Sequence, residues 1–211
     1  MKNQYSTAFQ ICAALYVTIL IVSNIASVKI VSIGPAVFDA GTILFPFAYI
    51  LIGIINEVYG FKRLRQMLYI GIGMLLLTSL VFWIVGILPA AADWSGQSSY
   101  DATLGVVFRI IFASITAIAA GEFFSGYVQN RLKERLQGKY LWGRIIGASG
   151  LGSLVDTIIF SVIAFAGTMS GSTLLQLMAT VWCIKLLVEL VVSPITLRVI
   201  KELKKVEIAS D

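Results

Sequence analysis

Long apolar runs, separated by short polar and basic segments, dominate the hydrophobic pattern of the chain. Six windows are apolar over enough residues to predict membrane-spanning helices. They cover approximately residues 9–28, 42–58, 67–88, 103–125, 145–168 and 174–198. Pro46 predicts a broken or re-entrant start for the second window, and Pro194 predicts a kink or an opened last turn in the sixth. We therefore expect an all-α, polytopic membrane protein with six transmembrane helices, whose residues 1–211 form a single integral membrane transport domain.

The charges of the connecting segments predict the orientation of these spans. Basic side chains concentrate in residues 59–66, in residues 126–144 and in the tail after residue 198. The alternate connections hold mainly acidic side chains, namely Asp39, Asp93 and Asp101, together with Lys29. Because basic connecting segments stay in the cytoplasm, both termini are predicted to be cytoplasmic. We expect the basic segments to contact anionic lipid of the bilayer and not nucleic acid.

The composition excludes most catalytic chemistry. Hydrophobic residues make up 58% of the chain and charged residues 13%, which is unlike a soluble domain. There is no histidine, so a Ser-His-Asp triad, a Cys-His dyad, His-ligated zinc and His-ligated haem are all excluded. Cys12 and Cys183 lie in apolar runs and are predicted to be buried free thiols. An intramembrane aspartyl protease needs two facing aspartates, and only Asp156 lies deep in a window. We predict no enzymatic activity, no metal and no cofactor.

Ionisable residues are the exception within or at the ends of the apolar windows. They are Glu57, Arg109, Glu122, Asp156, Lys185 and Glu189. A charge in hydrocarbon costs at least about 2.5–3.5 kcal/mol on insertion scales. Such side chains therefore face a bundle interior or a wet cavity, pair with one another, and mark the path of a substrate or ion. The pattern predicts a transport protein.

The fifth and sixth windows carry the most informative of these residues. Trp182, Lys185 and Glu189 lie on one helical stripe, which is predicted to line a substrate cavity. The simpler alternative is an internal Lys185–Glu189 ion pair that only neutralises both charges. Asp156 is close to mid-membrane and has no cation within a turn of its own helix, so its partner must come from elsewhere. Lys185 or Arg109 is the natural candidate.

The other charged residues predict contacts between helices. Arg109 and Glu122 are about 20 Å apart along the fourth helix and on different faces, so at least one is expected to clamp a neighbouring helix. Glu57 ends the second helix, where a carboxylate meets the negative end of the helix dipole. An arginine, a backbone amide or a ligand must hold it there. In the first window, Asn24 belongs to a small polar patch with Ser23 and Ser27.

Small residues at helical spacing predict where helices pack closely. They are Ala113, Ala117 and Gly121 in the fourth window, and Gly147, Gly150 and Gly152 at the start of the fifth. No glycine pattern follows a predicted strand, so we expect helix-contact faces and not a phosphate-binding loop. Residues 90–102 are polar and contain glycine and serine, which predicts a flexible outer element.

Several short motifs follow one another along nearly the whole chain. They are Ser23-Asn24-Ile25, Phe38-Asp39-Ala40-Gly41, Phe45-Pro46, Asn56-Glu57-Val58-Tyr59-Gly60, Ala113-Ser114, Trp142-Gly143-Arg144, Asp156-Thr157-Ile158-Ile159-Phe160 and Ala164-Phe165-Ala166-Gly167, with Lys185, Glu189 and Pro194. In this combination and order the chain resembles the queuosine precursor transporter family (VUT, or YhhQ-like). One departure is visible, because Gly53 and Asn56 stand on the turn before Glu57, where many relatives are expected to carry a further acidic residue.

The resemblance implies a six-helix carrier or facilitator in the cell inner membrane that imports 7-cyano-7-deazaguanine and 7-aminomethyl-7-deazaguanine for queuosine salvage. A carboxylate can accept hydrogen bonds from the deazaguanine N1–H and exocyclic amine, and an aromatic ring can stack on the base. The candidate residues are Glu57, Glu122, Asp156 and Glu189 as acceptors, Asn24 and Lys185 as donors, and Phe45, Phe160 and Trp182 as stacking partners. Arg109, Tyr59 and Gly60 are expected to be structural or gating residues.

Alternatives to a stand-alone carrier stay open from the sequence. The closest is the substrate-binding subunit of an ATP-driven vitamin-type importer, although the first window lacks the Ala-x-x-x-Ala docking pattern of that class. A structural assembly protein with fully paired polar groups is another. Import could be facilitated diffusion, or it could be coupled to protons through Asp156 or Glu57. A homodimer is compatible with six helices around a cavity, but no residue pattern indicates one.

Overall fold

The computed structural model describes residues 7–135 and 141–208. The described chain is mostly helical and contains one two-stranded sheet. The elements are α1 (Thr7–Ala26), β1 (Ile30–Ile33), β2 (Ala36–Asp39), a 3-10 helix (Ala40–Leu44), α2 (Phe45–Tyr59), α3 (Phe61–Ile87), α4 (Gln97–Thr103), α5 (Val107–Arg135), α6 (Leu141–Phe165) and α7 (Gly171–Ile208).

Helical segments of membrane-spanning character agree with the apolar windows of the sequence. Within the described ranges, four segments are long and apolar enough to cross a bilayer: Thr7–Ala26, Phe61–Ile87, Gln97–Ser125 and Gly171–Val191. Two shorter apolar segments, Ala40–Asn56 and Ser149–Phe165, fall in the second and fifth windows. This is the architecture of a helical membrane protein. The full count of six spans and the cytoplasmic placement of both termini stay predictions.

The second window begins with a broken turn, as Pro46 predicted. The 3-10 helix Ala40–Leu44 precedes α2, and Pro46 lies in the first turn of α2. A proline is harmless there because the first amides of a helix have no intrahelical partner. At the other end of the chain, α7 continues past Pro194 to Ile208. The opened last turn was therefore a wrong prediction, while a kink at Pro194 stays a prediction.

A β-hairpin between α1 and α2 was not predicted. Its strands are antiparallel, with Ile30 opposite Asp39 and Ile33 opposite Ala36. Gly34 takes a φ of 58° in the two-residue turn, a conformation that suits glycine in tight hairpins. Val37 and Phe38 are buried in an apolar cluster with side chains of α5, α6 and α7, among them Ile110, Phe165 and Leu177. The hairpin is thus part of the packed bundle.

The hairpin and the 3-10 helix run alongside α7. Gln176 Nε2 of α7 donates to the Pro35 carbonyl at 2.5 Å, and the Phe45 ring lies under the Lys185 ammonium. Gln176 and Lys185 are nine residues apart, or about 13 Å along the helix axis. Non-helical backbone therefore lies at the depth of the apolar part of α7. Such backbone is tolerated in a membrane only where protein buries it or where it lines a cavity.

The small residues pack α5 closely against α6, as predicted. A Cβ added at Gly121 would lie 2.8 Å from the Asp156 Cβ, and one added at Gly152 would lie 2.6 Å from the Ser125 Cβ. Ala113 and Ala117 are buried on the same face of α5. Gly147 differs, because a Cβ there would meet nothing within 4 Å. The glycines at 121 and 152 are therefore needed for the approach of the two helices.

We expect Gly152→Ala to destabilise the protein and Gly147→Ala to leave it unchanged or slightly more stable. The new methyl at 152 would also lie 2.9 Å from the Gly121 carbonyl, so backbone must move. Overpacking of this kind costs about 1–3 kcal/mol, whereas alanine in place of an unhindered helical glycine gains up to about 1 kcal/mol. Thermal unfolding in detergent measures both variants. Equal melting temperatures for the two variants would contradict this account of the α5–α6 contact.

Two other predictions were wrong in part. Residues 90–102 are not entirely a flexible loop, because α4 docks on α3: Tyr100 Oη donates to the Phe82 carbonyl at 2.9 Å, and Gln97 Nε2 to the Gly86 carbonyl at 3.3 Å. Gly86 lies in the last turn of α3, whose carbonyls lack helical donors and attract polar side chains. Both cysteines are free, as predicted, but neither is fully buried, because Cys12 is half-buried and Cys183 is exposed. An apolar run in a membrane helix also covers the face turned to lipid.

Candidate functional site

Lys185 of α7 forms an ion pair with Asp156 of α6 inside the bundle. The Lys185 Nζ also lies 4.9 Å from the centroid of the Phe45 ring, in the range of a cation–π contact. The sequence left the partner of Asp156 open between Lys185 and Arg109, and the structure selects Lys185. Lys185 therefore pairs across two helices and not with Glu189 on its own helix.

The two partners of the ion pair differ in exposure. The Lys185 side chain is 6% exposed and the Asp156 side chain 21% exposed. In the part of the chain that the structure describes, Lys185 is the only donor to this carboxylate, through Oδ2. A carboxylate has room for several donors. Asp156 can therefore accept further hydrogen bonds from a guest at its accessible side.

A second buried carboxylate, that of Asp39, fixes the segment that precedes Phe45. Asp39 is 1% exposed and accepts hydrogen bonds from Ser27 Oγ at 2.6 Å and from Thr42 Oγ1 at 2.8 Å. A Cβ added at Gly41 would lie 2.2 Å from Ser27 Oγ and 2.3 Å from the Ser23 carbonyl oxygen. Asp39 and Gly41 thus join the end of α1 to the 3-10 helix and so position Phe45 beside Lys185.

Sequence reasoning missed this joint. It placed Asp39 among the acidic residues of an outer connection and used it only as part of a family motif. The signal was present in two places, the Phe38-Asp39-Ala40-Gly41 motif and the polar patch of α1. Neither indicated that the two segments would meet, because their contact depends on the unpredicted hairpin.

Asn24 presents a different group from the one expected. Its side chain is buried, and Nδ2 donates to the Leu20 carbonyl at 2.8 Å on the same helix. Its Oδ1 is buried with no hydrogen-bond donor in the described chain. The resemblance implied a donor at this position. In this structure the amide offers an acceptor.

Two of the three aromatic candidates, Phe160 and Trp182, lie on the helices that carry the ion pair, and the third, Phe45, begins α2. Phe160 packs edge-on against Phe165, with ring centroids 5.8 Å apart, and belongs with Phe45 to the side chains packed around the same apolar cluster. Trp182 Nε1 donates to the Gly150 carbonyl at 3.0 Å, which fixes α7 to α6 one turn before Lys185. The structure thus places Phe45, Phe160 and Trp182 on the three helices of the site.

Arg109 clamps two helices, as at least one of Arg109 and Glu122 was expected to do. Its Nε donates to the Ile163 carbonyl at 2.5 Å and its Nη2 to the Ala166 carbonyl at 2.6 Å. These carbonyls lie at the C-terminal end of α6, where a cation also opposes the negative end of the helix dipole. A helix-capping role accounts for this charge without a substrate.

The remaining candidates are not brought into the ion pair by described contacts. Tyr59 packs against Phe9 with ring centroids 5.3 Å apart, and Gly60, with a φ of 81°, separates α2 from α3. Glu189 lies one turn after Lys185 and is partly buried. Glu57 and Glu122 lie in α2 and α5, but their side chains are outside the described part of the structure, and their roles stay predictions.

These observations define a multi-pass helical membrane protein with a charged site inside its bundle. A family model described as "Putative vitamin uptake transporter" matches residues 39–199. The chain therefore belongs to this family of vitamin uptake transporters.

The chain is also similar to two curated proteins. A "Probable queuosine precursor transporter" of Bacillus subtilis is 26% identical over 176 residues, which cover 82% of this chain and 76% of the relative. A protein of the same description from Haemophilus influenzae is 28% identical over 125 residues, which cover 59% of this chain and 51% of that relative. No solved structure matches the chain. The resemblance that the motifs predicted is confirmed.

Proposed function

We propose that this protein imports the queuosine precursors 7-cyano-7-deazaguanine and 7-aminomethyl-7-deazaguanine across the inner membrane, as a secondary carrier or facilitator. The observation that carries the proposal is the Asp156–Lys185 pair and its contact with Phe45. Phe45 is the first residue of α2, a helix that the hairpin and the 3-10 helix precede. Interrupted helices of this kind form substrate sites in many secondary transporters. The two curated relatives are both described as probable queuosine precursor transporters, and this description supplies the substrate class.

A deazaguanine edge has hydrogen-bonding groups that match this ion pair. Its N1–H and exocyclic amine are adjacent donors, which one carboxylate can accept together in the bidentate manner that makes charged pairs strong. Its O6 is an acceptor next to them and suits an ammonium donor. The guest can thus exchange the bond between Asp156 and Lys185 for bonds of its own with both. Adenine lacks the adjacent pair of donors and would leave the carboxylate poorly satisfied.

Aromatic rings at the site complement the flat face of the base. Phe45 lies against the Lys185 ammonium, and Phe160 is on α6 one turn after Asp156. Stacking of a base on an aromatic side chain is worth about 1–3 kcal/mol and does not depend on which base is bound. We therefore assign selectivity to the charged pair, and assign to the rings a contribution to affinity that deazaguanine and other purines share.

Uptake of labelled precursor by cells that cannot synthesise it tests the proposal. We expect uptake only when the protein is produced. In detergent, we expect either deazaguanine to raise the melting temperature of the purified protein, because a ligand that binds the folded state stabilises it by mass action, and adenine to have no effect. A protein that neither takes up nor binds deazaguanines would reject the proposed substrate.

Two experiments determine the mechanism of import: whether the chain transports alone, and whether transport needs a proton gradient. Transport by the purified chain in liposomes, without other proteins or ATP, is expected for a carrier and excludes a binding subunit of an ATP-driven importer. Collapse of the proton gradient then distinguishes facilitated diffusion from coupling. Uptake that survives full collapse would eliminate proton coupling through Asp156 or Glu57.

A further inference from the structure

Three hydroxyl groups on α6 are buried without a hydrogen-bond partner in the part of the chain that the structure describes. They belong to Ser153, Thr157 and Ser161, which follow one another at four-residue spacing. Thr157 and Ser161 are 0% exposed, and the Oγ of Ser153 is also inaccessible. Buried polar atoms nearly always have partners, so three in succession on one helix require an explanation.

Other hydroxyls in the described helices behave differently. Serine and threonine in apolar helices usually donate to a carbonyl three or four residues earlier. Thr18, Thr78 and Thr116 each donate in this way, at 2.8–2.9 Å, to the carbonyls of Ala14, Met74 and Phe112. The three hydroxyls of α6 have no such bond within the described chain. They are therefore available to a partner that does not belong to the described protein.

The row is next to the ion pair and extends beyond it. Asp156 lies between Ser153 and Thr157 in the sequence, and Ser161 lies further toward the C-terminal end of α6. From Ser153 to Ser161 the row covers about 12 Å along the helix axis. In the orientation that the loop charges predict, that end of α6 faces the outside. The length and direction of the row are those of a path that leads to Asp156.

The chemistry of the row indicates a partner that hydrogen-bonds through uncharged groups. Each hydroxyl can both donate and accept a hydrogen bond, and none carries a charge. Hydroxyls alone are weak ligands for a metal cation, and the neighbouring Asp156 carboxylate is already paired with Lys185. Water and the ring edge of a deazaguanine both supply uncharged donors and acceptors that match the hydroxyls.

We propose that Ser153, Thr157 and Ser161 form the polar wall of the translocation path between the Asp156–Lys185 pair and the outer face of the protein. This inference rests on the proposed transport function and extends it to residues outside the predicted site. The hydroxyls hydrogen-bond water when the path is open, and the passing base replaces that water. Because the hydroxyls are buried in this structure, the proposed path is closed in it.

Thr157→Val tests the wall, because valine has the shape of threonine without the hydroxyl. We expect the melting temperature of the ligand-free protein to rise by roughly 2–4 °C, since an unpaired buried hydroxyl is removed. We expect the KM for deazaguanine uptake to rise about fivefold to tenfold, since a hydrogen bond on the path is lost. Thr116→Val, which removes a hydroxyl bonded to its own helix, should change neither value by as much. Wild-type uptake kinetics in Thr157→Val would overturn the inference.

Cysteine accessibility tests the path by a readout other than transport. In a chain carrying Cys12→Ser and Cys183→Ser, a membrane-impermeant thiol reagent should modify Ser161→Cys from the outside and should not modify Ile158→Cys on the exposed side of α6. Added deazaguanine should slow the modification of Ser161→Cys. Modification without any deazaguanine uptake by the wild-type protein would support the path and reject the proposed substrate. Failure of Ser161→Cys to react from either side would overturn the path.

Discussion

Asp156→Asn should abolish deazaguanine uptake while the protein still inserts into the membrane. Asparagine keeps the shape of aspartate, but it cannot accept two hydrogen bonds from the base with a full negative charge, and it replaces one acceptor oxygen with a donor. The change also leaves the buried Lys185 ammonium without its partner. Loss of one partner of a buried ion pair costs about 3–5 kcal/mol, so the melting temperature should fall as well. Uptake assays and quantification of the protein in the membrane fraction measure the two effects separately.

A double variant separates the structural contribution of the ion pair from its part in transport. Asp156→Leu combined with Lys185→Met removes both charges, and replacement of a buried pair by well-packed hydrophobic groups of similar volume is often neutral or stabilising. We expect the melting temperature to recover and uptake to stay absent. The interaction between the two changes follows from the double-mutant cycle. Normal uptake by the double variant would show that the pair only neutralises itself, and the site assignment would then be wrong.

The helices could be predicted from the sequence because the bilayer sets the length of an apolar segment. Their ends could not, because hydrophobicity marks the membrane region and helices continue beyond it. The third window begins at residue 67, whereas α3 begins at Phe61 and includes the basic residues Lys62 and Arg63. The fourth window ends at residue 125, whereas α5 continues to Arg135. These basic residues, from which the topology is predicted, thus belong to helical extensions of the apolar windows.

The hairpin could not be predicted because its strands have four residues each and depend on tertiary contacts. Gly34-Pro35 is a turn signal, but the flanking segments are too short for a periodicity argument. Burial of Val37 and Phe38 against α5, α6 and α7 stabilises the hairpin. Two strands alone are at best marginally stable. The same contacts place the start of α2 beside the ion pair, so the position of Phe45 could not be predicted from the sequence either.

The ion pair was predictable in kind but not in detail. An acid deep in a span needs a cation, and the chain has few cations at that depth. The register between α6 and α7 decides between Asp156 and Glu189 as the partner of Lys185, and register depends on packing at Gly150 and Trp182. Whether Asn24 Oδ1 and the buried hydroxyls of α6 have hydrogen-bond partners depends on side-chain rotamers. No pattern of residue types contains that information.

Among alanine substitutions of the described glycines, Gly41→Ala should cause the largest loss of stability. The new Cβ would lie 2.2 Å from Ser27 Oγ and 2.3 Å from the Ser23 carbonyl oxygen, and 3.0 Å from Asp39 Oδ1. The hydroxyl could rotate away, but the carbonyl belongs to the backbone of α1 and cannot. We expect a loss of roughly 3 kcal/mol or more, at the upper end of overpacking effects, and a fall in melting temperature of about 6–12 °C.

Gly41→Ala is expected to affect transport as well, because the contact between α1 and the 3-10 helix positions Phe45. To relieve the clash, the 3-10 helix must move away from α1 and carry Phe45 with it, away from the Lys185 ammonium. Gly41→Ala should therefore weaken deazaguanine binding even at temperatures where the protein is folded. Gly73→Ala is the matched control, because a Cβ at that position of α3 would meet nothing within 4 Å. If the two variants unfold and bind ligand alike, the joint between α1 and the 3-10 helix does not position the site, and the interrupted entry into α2 is incidental to transport.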